Sequence, residues 1–93
     1  MFEKILNRMR DKVRTRQYIM TLHDEEEMDD DRLSIYDIEH VILSGRIIER
    51  QKDPITAEWK YLIQGNIFSE GNVTVAAKLS PTGKLVILTV YTE

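Results

Sequence analysis

The segment LSIYDIEHVILSGRIIERQ, residues 33–51, decides how the rest of the chain is read. Ser34 stands as a helix N-cap, with Asp37 three residues on in the capping-box position. Leu33 before the cap and Ile38 four residues after it form a hydrophobic staple. Ile38, Val41 and Ile42 then share one helical face, and Gly45 ends the helix as the usual C′ residue. After Gly45 the period changes, and RIIERQ (46–51) reads as a short strand.

Downstream of that boundary every element alternates. DPIT (53–56) is a turn, with Pro54 excluding regular sheet. EWKYLIQG (58–65) sets Trp59, Tyr61 and Ile63 against Glu58, Lys60, Leu62 and Gln64. NVTVAAKL (72–79) puts Val73, Val75, Ala77 and Leu79 on one face, and SPTG (80–83) is a tight hairpin turn. KLVILTVY (84–91) is apolar on both faces, with Leu85, Ile87 and Tyr91 on one side and Val86, Leu88 and Val90 on the other. A strand of that kind wants cover on both faces, from helices or from a second subunit.

Upstream, Phe2, Ile5, Leu6, Met9 and Val13 form one apolar helical stripe, with Lys4, Arg8, Lys12, Arg14 and Arg16 mostly off it. QYIMT (17–21) reads as a short extended link, after which Thr21 caps a further helix through an acidic block. That block places Glu25/Asp29, Glu26/Asp30 and Glu27/Asp31 four apart, like-charge pairs that each cost about 0.2–0.5 kcal/mol. The cations of the first helix are the obvious relief. The fold expected is therefore α+β in a single domain spanning residues 1–93: two to three N-terminal helices followed by a four-stranded antiparallel sheet, in the order ααββββ.

Composition bounds the chemistry. The chain has 93 residues, enough for one core, with 42% hydrophobic and 31% charged residues. Having no cysteine, it forms no disulfide and no zinc knuckle, and it performs no thiol catalysis. No apolar run reaches the length of about 20 residues that a membrane span needs, and charges interrupt the first ten positions, so neither a membrane helix nor a signal peptide is expected. A cytoplasmic, soluble protein without membrane contact follows as the expectation. The net charge of −3 is unevenly spread: Lys4 to Arg16 holds six bases and one acid, and Asp24 to Asp31 holds seven acids and no base.

The stretch Tyr18–Tyr91 resembles a family of small bacterial and cyanobacterial-type domains of unknown function. The resemblance rests on His23 opening a helix, LSIYDIEHVILSGRIIE (33–49), KYLIQG (60–65) and VILTVY (86–91), whose Thr-Val-Tyr end closes the chain's last strand. These span about three quarters of the chain. Members are distantly similar to RelE-type ribonuclease toxins, so the resemblance implies a RelE-like fold of helices followed by a curled sheet. It also makes Tyr91 and Arg50 the residues of interest for a nuclease. The family pattern reads roughly His-Ala-x-x-Arg-Met, whereas this chain reads His23-Asp24-Glu25-Glu26-Glu27-Met28. Glu27 thus stands where arginine is usual, inverting a charge that would hold phosphate.

Each sharper chemistry has a plainer competitor. His23 and Glu27 sit four apart on the expected helix with Glu26 and Asp30 beside them, yet zinc sites favour His/Cys-rich sets and the calcium-loop pattern fails. A solvated helix face is the better reading, so no metal and no cofactor is expected. For ribonuclease chemistry, Glu49, Arg50, Lys60, Lys84 and Tyr91 are candidates on or near the sheet, with His23 or His40 outside it. Against that, Tyr91 would simply end a buried strand and Arg50 would be a strand-face charge. RNA binding leans on basic charge, which a net −3 chain supplies poorly. The first helix is basic but accompanies no stacking aromatic set. No glycine-rich phosphate loop, nucleophile motif or dinucleotide fingerprint occurs. The reading that results is a non-catalytic domain acting through protein contacts or self-association. A RelE-like ribonuclease, or an inactivated relative of one, is the alternative, with Tyr91, Arg50, His23 and Glu27 as its site candidates.

Overall fold

Leu6, Met9 and Val13 of the first helix and Ile38, Val41 and Ile42 of the second are buried in one cluster on a single face of a five-stranded sheet. The computed structural model describes residues 2–20, 34–67 and 71–92. Its elements are α1 (Glu3–Arg14), β1 (Tyr18–Met20), α2 (Ile35–Ser44), β2 (Arg46–Lys52), β3 (Trp59–Ile67), β4 (Gly71–Leu79) and β5 (Leu85–Thr92). The sheet runs in the order β1-β5-β4-β3-β2. Among the described residues no helix is long and apolar enough to cross a membrane.

The α+β class matches expectation, and the sheet departs from it in two ways. It has five strands rather than four, and it is mixed rather than antiparallel. Tyr18–Met20, expected to be a link, is a strand that pairs parallel to β5, with Tyr18 opposite Leu85 and Met20 opposite Ile87. Three residues are too few to display an alternating pattern, and their partners lie more than sixty positions away. The helix expected through the acidic block falls outside the described residues.

The boundary at Ser34 forms as its residues dictate. The Ser34 hydroxyl accepts from the Asp37 backbone N–H, and the Asp37 carboxylate accepts from the Ser34 N–H, completing a reciprocal capping box. At the other end Gly45 is extended (φ −83°), not left-handed. Glycine is needed there for space: a Cβ would lie 2.4 Å from the Gln64 carbonyl oxygen and 2.5 Å from that of Val41. The last carbonyls of α2 are taken by α1, because Arg10 donates Nε to Ile42 O (3.1 Å) and a terminal nitrogen to Gly45 O (2.8 Å). Helix α1 ends differently. Arg16 is left-handed (φ 57°), with Arg16 N–H bonding Val13 O and Gln17 N–H bonding Lys12 O, a Schellman closure without glycine.

The sheet carries two bulges, and both change which face a residue occupies. In β4–β5 the register jumps between Ala76 and Ala77: Ala77 pairs with Ile87 but Ala76 pairs with Thr89, leaving Leu88 unpaired. Leu85, Ile87 and Val90 therefore share the buried, helix-facing side, and Tyr91 falls on the opposite face. This corrects the simple alternation that grouped Tyr91 with Leu85 and Ile87. Both edges of β5 are paired, to β1 and β4, and the helices cover one face through Leu85, Ile87 and Val90, whereas Val86 and Leu88 on the other face are only half-buried and have no covering layer among the described residues. In β2 the jump between Ile47 and Glu49 leaves Ile48 unpaired, so Ile47 packs on the core while Glu49 pairs with Leu62 and Arg50 with Tyr61.

Candidate functional site

Tyr91 and Arg50, the two residues the resemblance singles out, lie on opposite faces of the sheet. Tyr91 pairs with Thr74, which sits between the core residues Val73 and Val75 and so points away from the helices. Its ring is 48% exposed, which makes it a surface residue rather than a core one. Arg50 pairs with Tyr61 on the helix-facing side, at the outer strand β2. Three strand spacings separate the two strands, about 14 Å. The structure does not bring the pair together. His23 and Glu27 lie outside the described residues.

The arginine that shares a face with Tyr91 is Arg46. Arg46 pairs with Gln64, Gln64 with Thr74, and Thr74 with Tyr91, which makes one polar row across four strands. Beyond it Asn66 stands opposite Asn72. At the β2 end the row opens into a cleft of about 460 Å³, walled by His40 and Ser44 of α2, Arg46, Gln64, Asn66 and Asn72. Gly45 and Gly65 form its floor, and at Gly65 a Cβ would already crowd the Val41 backbone at 3.3 Å. The Ser44 hydroxyl donates to the His40 carbonyl.

A second cluster sits at the far end of β2. The Arg50 guanidinium lies over the Trp59 ring at 4.2 Å from its centroid, and the Lys52 ammonium lies at 5.8 Å. A groove of about 280 Å³ beside Trp59 is walled by Ile5, Arg8, Tyr61 and Leu79. The turn that carries Trp59 is fixed by Asp53, whose carboxylate accepts from the Ile55 and Thr56 N–H groups. Those bonds hold the Asp53 carboxyl below its ordinary pKa. They also set Ile55 at the tip, 92% exposed. Lys78 reaches back to Glu58 at 2.6 Å and steadies the base of the hairpin.

The other sheet candidates are dispersed. Glu49 accepts from Gln51 along β2, Lys60 is half-buried opposite Gln51, and Lys84 is exposed at the β4–β5 turn. Among the described residues the strongest titration shift belongs to none of them. Burial, reinforced by a hydrogen bond to Glu39 and its charge, pushes the Tyr18 phenol up to about 12. Sequence reasoning passed over Tyr18, Arg46, Gln64, Asn66, Asn72 and Trp59. The only signal for the cleft was Gly45 itself, which marks where a helix turns into an edge strand against a neighbouring backbone.

Comparison with known proteins matches residues 20–92 to a family described as a domain of unknown function (DUF4258). No curated protein matches the chain.

Proposed function

The chain belongs to the DUF4258 family, a domain of unknown function, and from that premise we propose that it is a non-catalytic binding module whose partner is a second copy of itself. The observation that carries this reading is the stack of Arg50 on Trp59 at 4.2 Å, on a ring 40% exposed and next to the fully projecting Ile55. Tryptophan and arginine are the residue types that dominate binding hot spots. Arg8, Arg50 and Lys52 give this end of the molecule a positive border, and the same sequence holds seven carboxylates between Asp24 and Asp31. Charge complementarity of that kind fixes register and speeds encounter. A reciprocal arrangement, each copy's acidic run on the other's Trp59 patch, is two-fold and closes. The outer edge of β2 carries Glu49, Arg50 and Lys52, charges that discourage strand-to-strand addition and leave side-chain docking as the mode.

Analytical ultracentrifugation tests it. The expected result is a mass that rises with concentration, falls back at high salt, and stays monomeric in both Trp59→Ala and Arg50→Glu. A monomer at every concentration of the wild-type chain defeats the proposal.

The alternative, a RelE-like ribonuclease or an inactivated relative, has one observation in its favour: the row that places Tyr91 on the same face as a cation, Arg46. Cleavage of a single-stranded RNA that disappears in Tyr91→Phe and Arg46→Ala but survives in Arg50→Ala would establish it in place of the binding module.

A further inference from the structure

We propose that the cleft between the C-terminal end of α2 and β3 binds a phosphomonoester of the mononucleotide class. This goes beyond self-association, because the cleft opens at the Arg46 end of β2 and the Trp59 patch sits at the Lys52 end.

The polar side chains around the cleft are uncommitted. His40, Arg46, Gln64, Asn66 and Asn72 all line it, and among the described residues none of these side chains has a hydrogen-bond partner. Other long polar groups do have partners: Arg10 binds two carbonyls, Tyr18 binds Glu39 and Lys78 binds Glu58. Among the described residues the lining holds one permanent cation and no carboxylate, so its charge suits an anion. A planar guanidinium pairs with phosphate through two parallel N–H bonds. Gln64, Asn66 and Asn72 lie at the rim of the cleft on the sheet face turned away from α2, and each carboxamide offers donors and an acceptor, the combination that reads the edge of a nucleobase. The volume of about 460 Å³ falls within the size of small-molecule sites, about 300–1,000 Å³.

One feature of the fold should oppose an anion here, and Arg10 offsets part of it. A helix C-terminus presents carbonyls and partial negative charge. In α2 several of these carbonyls are occupied: His40 O by the Ser44 hydroxyl, Val41 O by the Gly45 N–H, and Ile42 O by Arg10. Arg10 also takes the carbonyl of Gly45 in the cleft floor. It therefore brings a full positive charge to that end of the helix. The floor of Gly45 and Gly65 is bare main chain, and at Gly45 no side chain can be accommodated.

The test is a titration of the ¹⁵N-labelled protein followed by NMR. The probes are adenosine 5′-monophosphate, inorganic phosphate and adenosine. The expected result is saturable movement of the Gly45 and Gly65 amides and of the Gln64, Asn66 and Asn72 side-chain NH₂ signals with the monophosphate. Inorganic phosphate should bind the same site more weakly. Arg46→Gln should weaken the monophosphate about tenfold or more. Asn66→Ala should affect the monophosphate but not inorganic phosphate. Lys4→Gln, a charge change on the exposed side of α1, should leave binding as it is. Adenosine binding as tightly as its monophosphate would overturn the proposal, as would an Arg46→Gln variant that binds normally or the absence of saturable shifts. Inorganic phosphate binding as tightly as the monophosphate would overturn the mononucleotide assignment.

Discussion

The Tyr18 hydroxyl donates to Glu39 Oε2 at 2.5 Å, tying the edge strand β1 to the helix α2. Among the described residues β1 spans three positions and pairs on one side only, with β5. The phenol adds an anchor from the helix layer to the sheet margin.

That anchor makes stability depend on alkaline pH. The folded Tyr18 pKa, about 12, lies above the unfolded value of 10. A raised pKa stabilises the fold fully below the unfolded value and loses that contribution as pH climbs from 10 through 12. Because the phenol is only partly buried, the amount is discounted to about 1 kcal/mol. Urea unfolding at neutral pH should show Tyr18→Phe less stable by about 1 kcal/mol. Between pH 10 and 12 the wild type should lose stability toward the variant. Parallel curves for the two proteins across that range would show the bond contributes nothing.

Arg10 fastens α1 to the end of α2 through two carbonyls that would otherwise lack partners. Removing a charged donor from part-buried acceptors costs about 1–3 kcal/mol, so Arg10→Ala should lower the denaturation midpoint accordingly. Arg10→Lys should recover less than half of the loss, since a single ammonium cannot reproduce a fork spanning Ile42 O and Gly45 O. Equal stability of the lysine variant and the wild type would assign the effect to charge alone.

The two helices were legible because their signals are local. The stripe of Leu6, Met9 and Val13 and the Ser34–Asp37 box are each complete within a few residues, and both form. What stayed hidden was non-local. β1 is defined by pairing with Leu85, Val86 and Ile87, far along the chain. The bulges at Ile48 and Leu88 shift the side-chain phase by one residue, and no composition rule marks them. That shift put Tyr91 outside and Val90 inside, and it moved Arg50 to the face away from Tyr91. The cleft was illegible for the same reason, because Arg46, Gln64 and Asn72 become neighbours only through register.

The end of α1 offers a stabilising change. Arg16 occupies the left-handed position of a Schellman closure, φ 57°, where an L-residue pays about 1 kcal/mol or more. Glycine removes that strain and adds some unfolded-state entropy, leaving a net gain of about 0.5 kcal/mol. For a domain of this size that is a rise in melting temperature of about 2–4 °C. Scanning calorimetry of Arg16→Gly checks it, and a lower melting temperature would mean that the Arg16 side chain makes a stabilising contact outweighing the strain.

Gly45 and Gly65 should respond to alanine in graded fashion, because the atoms a methyl would meet differ. At Gly45 the new Cβ lies 2.4 and 2.5 Å from two backbone oxygens, those of Gln64 and Val41. Neither can retreat without opening the β2–β3 pairing or the last turn of α2. The expected cost of Gly45→Ala is about 3 kcal/mol or more, enough to leave much of the chain unfolded. At Gly65 the nearest atoms are the Val41 and Gly45 Cα at 3.3 and 3.4 Å and the Val41 Cγ1 at 3.4 Å. A shift of a few tenths of an ångström between α2 and β3 accommodates the methyl, so Gly65→Ala should cost about 1 kcal/mol. Equilibrium urea unfolding of both variants, read by far-ultraviolet circular dichroism, gives the comparison. A Gly45→Ala protein as stable as the Gly65→Ala one would mean that α2 and β3 do not approach as closely as the fold requires.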